Sequence, residues 1–360
     1  MSIYGASSPT ADRFDPIPHH YDAMLFLSFG GPEGMEDVIP FLENVTRGRN
    51  IPRERLEEVA EHYYHYGGVS PINAQNRALI AALEEEFRAS DIDLPIYFGN
   101  RNWDPYVKDT IAQMRADGVQ RAIVFVTSAM SSYSGCRQYR ENVINALEEL
   151  GLGNEIAFDK LRMFYNHPGF VEPMAEQVRM AIESFPEDRR AGVHVVFTAH
   201  SIPNSMAAGC AYEEQLAESC RLVAERAGAA SYELAYQSRS GAPHIPWLEP
   251  DIADALDHLH ADGRDDVVVS PIGFISDHLE VLYDLDDEAQ EHAEGLGMTM
   301  VRAGTVGTHP TFVAMIRELV QERMSESPER RYLGNRGPNH DICPMNCCLS
   351  GAGRPASAAS

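Results

Sequence analysis

The chain has 360 residues, 44% of them hydrophobic, which suits one large or two ordinary domains and excludes wholesale disorder. Its 54 acids against 29 bases give a formal charge of −25. That excludes broad binding to nucleic-acid backbone or anionic lipid, though a local basic site could hold a small anion.

In chain order, Met1–His20 is Ser-, Asp-, His- and Pro-rich and lacks a basic-then-apolar leader pattern. No apolar run approaches about 18 residues, so no transmembrane helix is expected and the chain reads as cytoplasmic. Apolar runs rich in β-branched and aromatic residues predict strands at Ala23–Phe29, Pro95–Gly99, Ala122–Thr127 and Ile156–Phe164. Four more are predicted at Val193–Thr198, Glu233–Gln237, Val267–Ile272 and Met298–Arg302. These runs are nearly continuous, as in strands buried on both faces. Between them, helical periodicity covers Arg53–Tyr66, Ala74–Arg88, Pro105–Ala116, Arg140–Leu150, Phe170–Phe185, Glu213–Ala227, Pro250–Ala261 and Leu279–Glu294. Alternating strands and helices predict an α/β fold with mostly parallel sheets. From Gln321 onward the chain turns polar, and Gly351–Ser360 has the composition of a disordered end.

A weak internal echo favours two sheets over one. Leu25–Pro32 resembles Val195–Pro203 in plan, and Ile123–Ser132 resembles Val267–Ser276. Each is a buried strand running into a small polar loop. Ligands of open α/β sheets lie outside the carboxyl ends of strands, so two facing halves would gather such loops around one cleft.

Several residues could carry chemistry there. His200 follows a predicted strand, and reads either as a functional base or as a histidine bonded to a loop carbonyl. On an α-helix Glu280, Asp284, Asp287 and Glu288 share one face. Such a row is commonly a solvated face, but leading inward from a strand end it could pass a divalent cation. His200 and Glu280 together offer one nitrogen and one oxygen, too few for a tight structural metal and suitable for one that is released. Arg47, Arg49, Arg53 and Arg55 are concentrated in an acidic chain, which suits carboxylate or phosphate ligands, or a loop of salt bridges. Ser70, in Gly67-Gly68-Val69-Ser70-Pro71, reads on spacing alone as a helix cap. Cys343, Cys347 and Cys348 bring three thiols into six residues, which suits zinc or an iron–sulfur centre needing a fourth ligand. Cys136, in a loop after a strand, is the best candidate, with Cys210 next; Cys220 reads as helix core.

Three segments carry a family resemblance: Ala199-His200-Ser201-Ile202-Pro203; Tyr236–Gly241 with Trp247-Leu248-Glu249-Pro250; and Ser276–Glu280 with Tyr283–Asp286. In this order and spacing they resemble the ferrochelatases, over about residues 22–325. The resemblance implies two Rossmann-like, chelatase-type halves, each with a mostly parallel four-stranded sheet flanked by helices, and a porphyrin cleft between them. The expected division is an N-terminal segment 1–21, a first half 22–165 with the porphyrin lip, a second half 166–325 with the metal site, and a Cys-bearing tail 326–360. The implied activity is insertion of Fe2+ with release of two protons. His200 and Glu280 match the family's metal-binding pair, and Asp284 and Asp287 its acidic conduit. Ser70 and Tyr139 match porphyrin-contacting positions, and Arg47 the lip that holds propionates. Phe29 stands where some bacterial relatives have a tyrosine ligand, so oxygen ligation from there is not available.

The run Ser132–Asn142 is similar to the actinobacterial branch, associated with coproporphyrin III rather than protoporphyrin IX. The mixed polar, arginine-bearing lip Pro32–Arg55 points the same way, since coproporphyrin carries four carboxylates. The resemblance also implies a [2Fe–2S] cluster, here on Cys136, Cys343, Cys347 and Cys348. A monomer is expected, meeting coproporphyrin III, Fe2+ and transiently another haem-pathway enzyme. The rival readings are a protoporphyrin IX ferrochelatase, a chelatase for another tetrapyrrole, a non-catalytic metal or tetrapyrrole carrier, and a cluster-bearing redox protein. The last lacks a Gly-x-Gly-x-x-Gly fingerprint.

Overall fold

The computed structural model describes residues 14, 19–48, 50–241 and 244–351. Most of the N-terminal segment, Arg49 and residues 352–360 lie outside the described residues. So does the expected disorder of the chain's end, apart from Gly351.

The first half runs β1 (Ala23–Ser28), α1 (Val38–Val45), α2 (Arg53–His65), α3 (Ile72–Ala89), β2 (Ile96–Asn100), α4 (Val107–Ala116), β3 (Arg121–Val126), a π-helical turn (Tyr133–Arg137), α5 (Gln138–Glu149) and β4 (Ala157–Lys160). The second runs α6 (Pro168–Glu183), β5 (His194–His200), α7 (Asn204–Ala207), α8 (Tyr212–Ala227), β6 (Ser231–Gln237), α9 (Ile252–Ala261), β7 (Asp266–Ser270), α10 (Leu279–Val281), a π-helix (Leu282–Ala289), α11 (Gln290–Leu296), β8 (Thr299–Arg302) and α12 (Pro310–Met324).

The strands form two all-parallel four-stranded sheets, ordered β2-β1-β3-β4 and β6-β5-β7-β8. The internal echo is real at this level: β1 and β5, then β3 and β7, hold the same two central places. Each sheet is buried on both faces, which explains the unbroken apolar runs. Along β1, Met24 and Phe26 face one cluster while Ala23, Leu25 and Leu27 face another. Along β5, Val195, Phe197 and Ala199 face the first of these and Val196 a third.

The inner faces of both sheets therefore meet one shared core. Phe26 and Phe125 of the first half lie in one buried cluster with Phe170, Phe197 and Phe312 of the second. Helices α3, α6, α8 and α12 supply its remaining walls. The outer faces are covered separately, by α4 and α5 on one sheet and by α9 and α11 on the other. Helices α1 and α2 form a small satellite core that also takes in Leu279 of the second half.

Three sequence expectations need correction. No helix was expected at 38–45 or at 310–324. The second has a full helical stripe, Phe312, Val313, Ile316, Leu319 and Val320, all buried. Its polar end is not a boundary either. Glu322 is buried and receives two hydrogen bonds from the buried Arg162 guanidinium, at 2.7 and 2.9 Å. Third, the predicted strand Ile156–Phe164 pairs only over Ala157–Lys160. Residues 161–164 turn away into the shared core.

Part of the tail is tied down by ion pairs and hydrogen bonds. Buried Asp341 faces Arg323 at 3.4 Å and Arg330 at 3.1 Å. Asn166 donates to the carbonyls of Leu333 and Gly337. No described helix is long and apolar enough to cross a membrane.

Candidate active site

A cavity of about 890 Å³ lies between the two sheets. The carboxyl ends of β1, β3, β5 and β7 all reach it, through Phe29, Ser128, His200 and Phe274. These are the central strands of both sheets, where strand order reverses and α/β proteins seat ligands. The β1 end is braced from beneath. Gly30 adopts φ +84°, and a Cβ there would meet Asn100 at 2.9 Å, so a side chain fits neither the backbone nor the space. Asn73 donates to the Gly31 carbonyl, and Asn100 donates to Asn73.

His200 is the last residue of β5, not a loop residue. Its backbone carbonyl accepts from the Tyr212 hydroxyl at 3.0 Å. Its Nδ1 contacts the Ser201 carbonyl. A carbonyl only accepts, so Nδ1 carries the proton and Nε2 keeps its lone pair. The loop-carbonyl bond and the functional reading therefore coexist, the first orienting the second. Nε2 lies 3.8 Å from a Glu280 carboxylate oxygen, with both side chains partly exposed to the cavity. That is too long for a hydrogen bond, yet two metal–ligand distances of about 2.1 Å span it at an open angle.

The acidic row is not one α-helical face. The segment is π-helical over Leu282–Ala289, and its wider turn splits the row. Asp284 is bonded by the Ser238 hydroxyl on the β6 side. Asp287 accepts from the hydroxyl of Tyr66, just past α2, at 2.7 Å and lies 3.6 Å from His65. Glu288 is exposed. Burial, opposed by the Ser238 bond and reinforced by Glu280 and Glu288, pushes the Asp284 carboxyl up to about 7. The solvated-face reading does not hold for this residue.

The candidate porphyrin contacts converge. Phe29, Arg47, Ser70 and Tyr139 all line the cavity. Ser70 caps nothing: α3 begins after Pro71 with no side-chain cap, which corrects the reading from spacing. The arginine cluster divides. Arg47 reaches the cavity beside Asn44, whereas Arg53 pairs with Glu43 and Glu57, and Arg55 with Glu58. In the lip, Met35 and Ile51 are the exposed large apolar side chains, single residues of the kind found on any surface.

Arg101 was missed. It follows β2, and its guanidinium lies 4.6 Å from the Tyr139 ring centroid and 5.5 Å from that of Phe29. Asn142 and the Ser134 carbonyl hold it in place. The strand-end rule that singled out His200 would have found it. Tyr63 and His278 also line the cavity. Burial lowers the His278 pKa against the opposing pull of Glu280, favouring the neutral ring.

The thiols meet beside the first half. Cys136 lies in the π-helical turn after β3, and Arg137 next to it donates to the carbonyls of Met345 and Cys347 at 2.7 and 2.9 Å. The free thiol of Cys343 lies in hydrogen-bonding contact with those of Cys136 and Cys347. The Cys347 and Cys348 sulfurs are 3.3 Å apart. Cys348 adopts φ +55°, the backbone strain that brings two successive sulfurs together. His340, Cys343 and Cys347 have donor atoms within 4.8 Å of one another, a group that could hold a metal ion. Cys210, between α7 and α8, donates to the carbonyls of Met206 and Ala207, and Cys220 is buried in α8. Thiols from two segments thus gather at one place, with donors of the kind that zinc or an iron–sulfur centre takes.

Comparison with known proteins is consistent with this geometry. The ferrochelatase family model matches residues 21–324. A ferrochelatase of Rhodopirellula baltica is 57% identical over 93% of this chain and 95% of its own. A coproporphyrin III ferrochelatase of Streptomyces griseus is 52% identical over 97% of this chain and 98% of its own. The solved structure of SirB from Bacillus subtilis with Fe3+ has a TM-score of 0.53 at 11% identity, covering 88% of this chain and 100% of that one. That likeness concerns the fold alone. A match that takes in both sheets and both walls of the cavity leaves one conclusion: the chain belongs to the ferrochelatase family.

Proposed function

We propose that the protein inserts ferrous iron into coproporphyrin III as a step of haem synthesis. The observation that carries this is the cavity itself. It is lined by the His200–Glu280 pair and by Arg47 and Arg101, in a chain of net charge −25. Two guanidiniums at an aromatic wall suit a flat macrocycle with several carboxylates. The relative from Streptomyces griseus supports the same substrate.

The chemistry follows from the ring. A planar porphyrin keeps two N–H protons inside, and iron enters only as they leave. A cleft whose walls favour a puckered ring stabilises the transition state over the flat ground state. Phe29 and Tyr139 would contact the ring, and Ser70 would pack at its edge. Nε2 of His200 accepts a pyrrole proton. Glu280 accepts the proton from His200 or presents iron to the ring, with Asp284 behind it. Asp287, turned toward Tyr66, serves the outer end of that route.

The same reading divides the chain at residues 165 and 166, between β4 and β5. It also assigns a [2Fe–2S] centre to Cys136, Cys343, Cys347 and Cys348.

The test is anaerobic incubation with Fe2+ and either porphyrin, followed by absorbance. Coproporphyrin III should be metallated at least tenfold more efficiently than protoporphyrin IX. Equal or better efficiency with protoporphyrin IX overturns the substrate assignment. No metallation of either overturns the activity.

A further inference from the structure

The segment that carries Glu280 is held on both sides by one residue that does not line the cavity. Arg302 ends β8 and is paired with Val269 in the second sheet. Its Nη1 donates to Asp277 at 3.0 Å, and its Nε donates to Asp286. Asp277 lies just before α10, and Asp286 lies within the π-helix. The chain thus leaves the guanidinium at Asp277, passes through His278, Glu280 and Asp284, and returns to it at Asp286.

Packing holds only the apolar side of this loop, through Leu279 in the satellite core and Val281 and Leu285 in the outer core of the second sheet. The acids of the π-helix are held from different directions: Asp284 by Ser238, Asp286 by Arg302 and Asp287 by Tyr66. Among these three partners only Arg302 stands on a strand, and only it also grips the chain ahead of Glu280. A rigid strand positions a site more closely than a loop does. The guanidinium is 19% exposed, so its two ion pairs are screened less than open surface pairs. The near end is tied to the first half as well, since the Asp277 N–H donates to Gln75 of α3 at 2.9 Å.

We propose that Arg302 is a positioning residue for iron insertion, a two-armed clamp that keeps Glu280 in place beside His200. The proposal rests on the reading of His200 and Glu280 as the pair that meets iron. A planar guanidinium can hold two carboxylates from separate nitrogens, which a single ammonium does not reproduce.

The experiment uses the full chain under anaerobic conditions, with Fe2+ and coproporphyrin III varied separately, and deuterium exchange as a second readout. Arg302→Gln should lower kcat/KM for Fe2+ at least tenfold, with porphyrin affinity, read by fluorescence quenching, within twofold of the wild type. Arg302→Lys should recover only part of the loss. Peptides spanning 277–289 should take up deuterium faster in Arg302→Gln while those of β5 and β7 stay protected. An unchanged kcat/KM for Fe2+ overturns the proposal, as does an equal loss of porphyrin affinity, which would indicate general structural support. Full recovery in Arg302→Lys overturns the two-armed clamp. If Arg302→Gln does not accumulate, Asp286→Asn releases one arm with little change of shape; a loss of threefold or more supports the clamp and no loss opposes it. If the wild type metallates neither porphyrin, the reading of the site fails separately. Deuterium uptake then decides the clamp: faster exchange across 277–289 retains it, and unchanged exchange removes it.

Discussion

His200 and Asp284 differ in what controls their protons. The Ser201 carbonyl fixes the His200 tautomer, leaving Nε2 as the basic atom of that ring at the cavity. His200→Ala should therefore lower iron insertion at least about 10²-fold, while porphyrin fluorescence quenching shows binding retained. Asp284 has its proton affinity set by burial, up to about 7. Below that pH it is neutral and cannot take a proton passed to it. Insertion should rise as pH passes through about 7 and become flatter in Asp284→Asn, measured as rate against pH. Stability runs the other way. The folded-state value lies above the unfolded one, so this group favours folding at low pH and loses that contribution as pH rises from about 4 through about 7. Thermal scans should show Asp284→Asn gaining on the wild type between pH 5 and pH 8. Phe29 was legible from the family resemblance, and His200 as a cavity residue from its strand end. Arg101 obeys the same rule, but its role rests on Phe29 and Tyr139, brought to it from distant segments.

At the level of elements, the π-helix is the piece that sequence periodicity could not reveal. A 3.6-residue reading put four acids on one face. The wider turn sends Asp287 to α2 and leaves Asp284 beside β6. Deleting exposed Glu288 should let the segment close to an ordinary α-helix, rotating Asp284 away from Ser238. Iron insertion should drop at least tenfold with porphyrin binding kept; an unchanged rate would mean that the π register is incidental. Helix α12 was missed for another reason. Its polar end was taken as exposure, and a single chain does not show that Glu322 meets Arg162 across 160 positions. Breaking that buried pair by Glu322→Gln should cost about 3–5 kcal/mol, read by urea unfolding, because the guanidinium is left without its partner.

Across the whole molecule, the two sheets were legible from their buried runs, and their matching order from the internal echo. Their fusion was not, because membership of Phe26 and Phe197 in one buried cluster leaves no local signature. The shared core makes a specific demand on unfolding. Core amides of β1 and β5 should exchange with deuterium at one common free energy, as a single cooperative unit. Earlier release of either sheet would show that the halves are separable.

That fusion also bears on how the cleft meets its substrate. Gln215 of α8 bonds Ser131, Gln75 of α3 bonds Asp277, and Tyr66 bonds Asp287, so hydrogen bonds as well as core span the two walls. Jaws joined in this way do not swing on a hinge. The bend imposed on a bound macrocycle is then a property of the empty mould, present before binding and nearly the same for every ring that enters. Resonance Raman markers of out-of-plane distortion should thus agree between different porphyrins held in this cavity, even where their rates of metallation diverge.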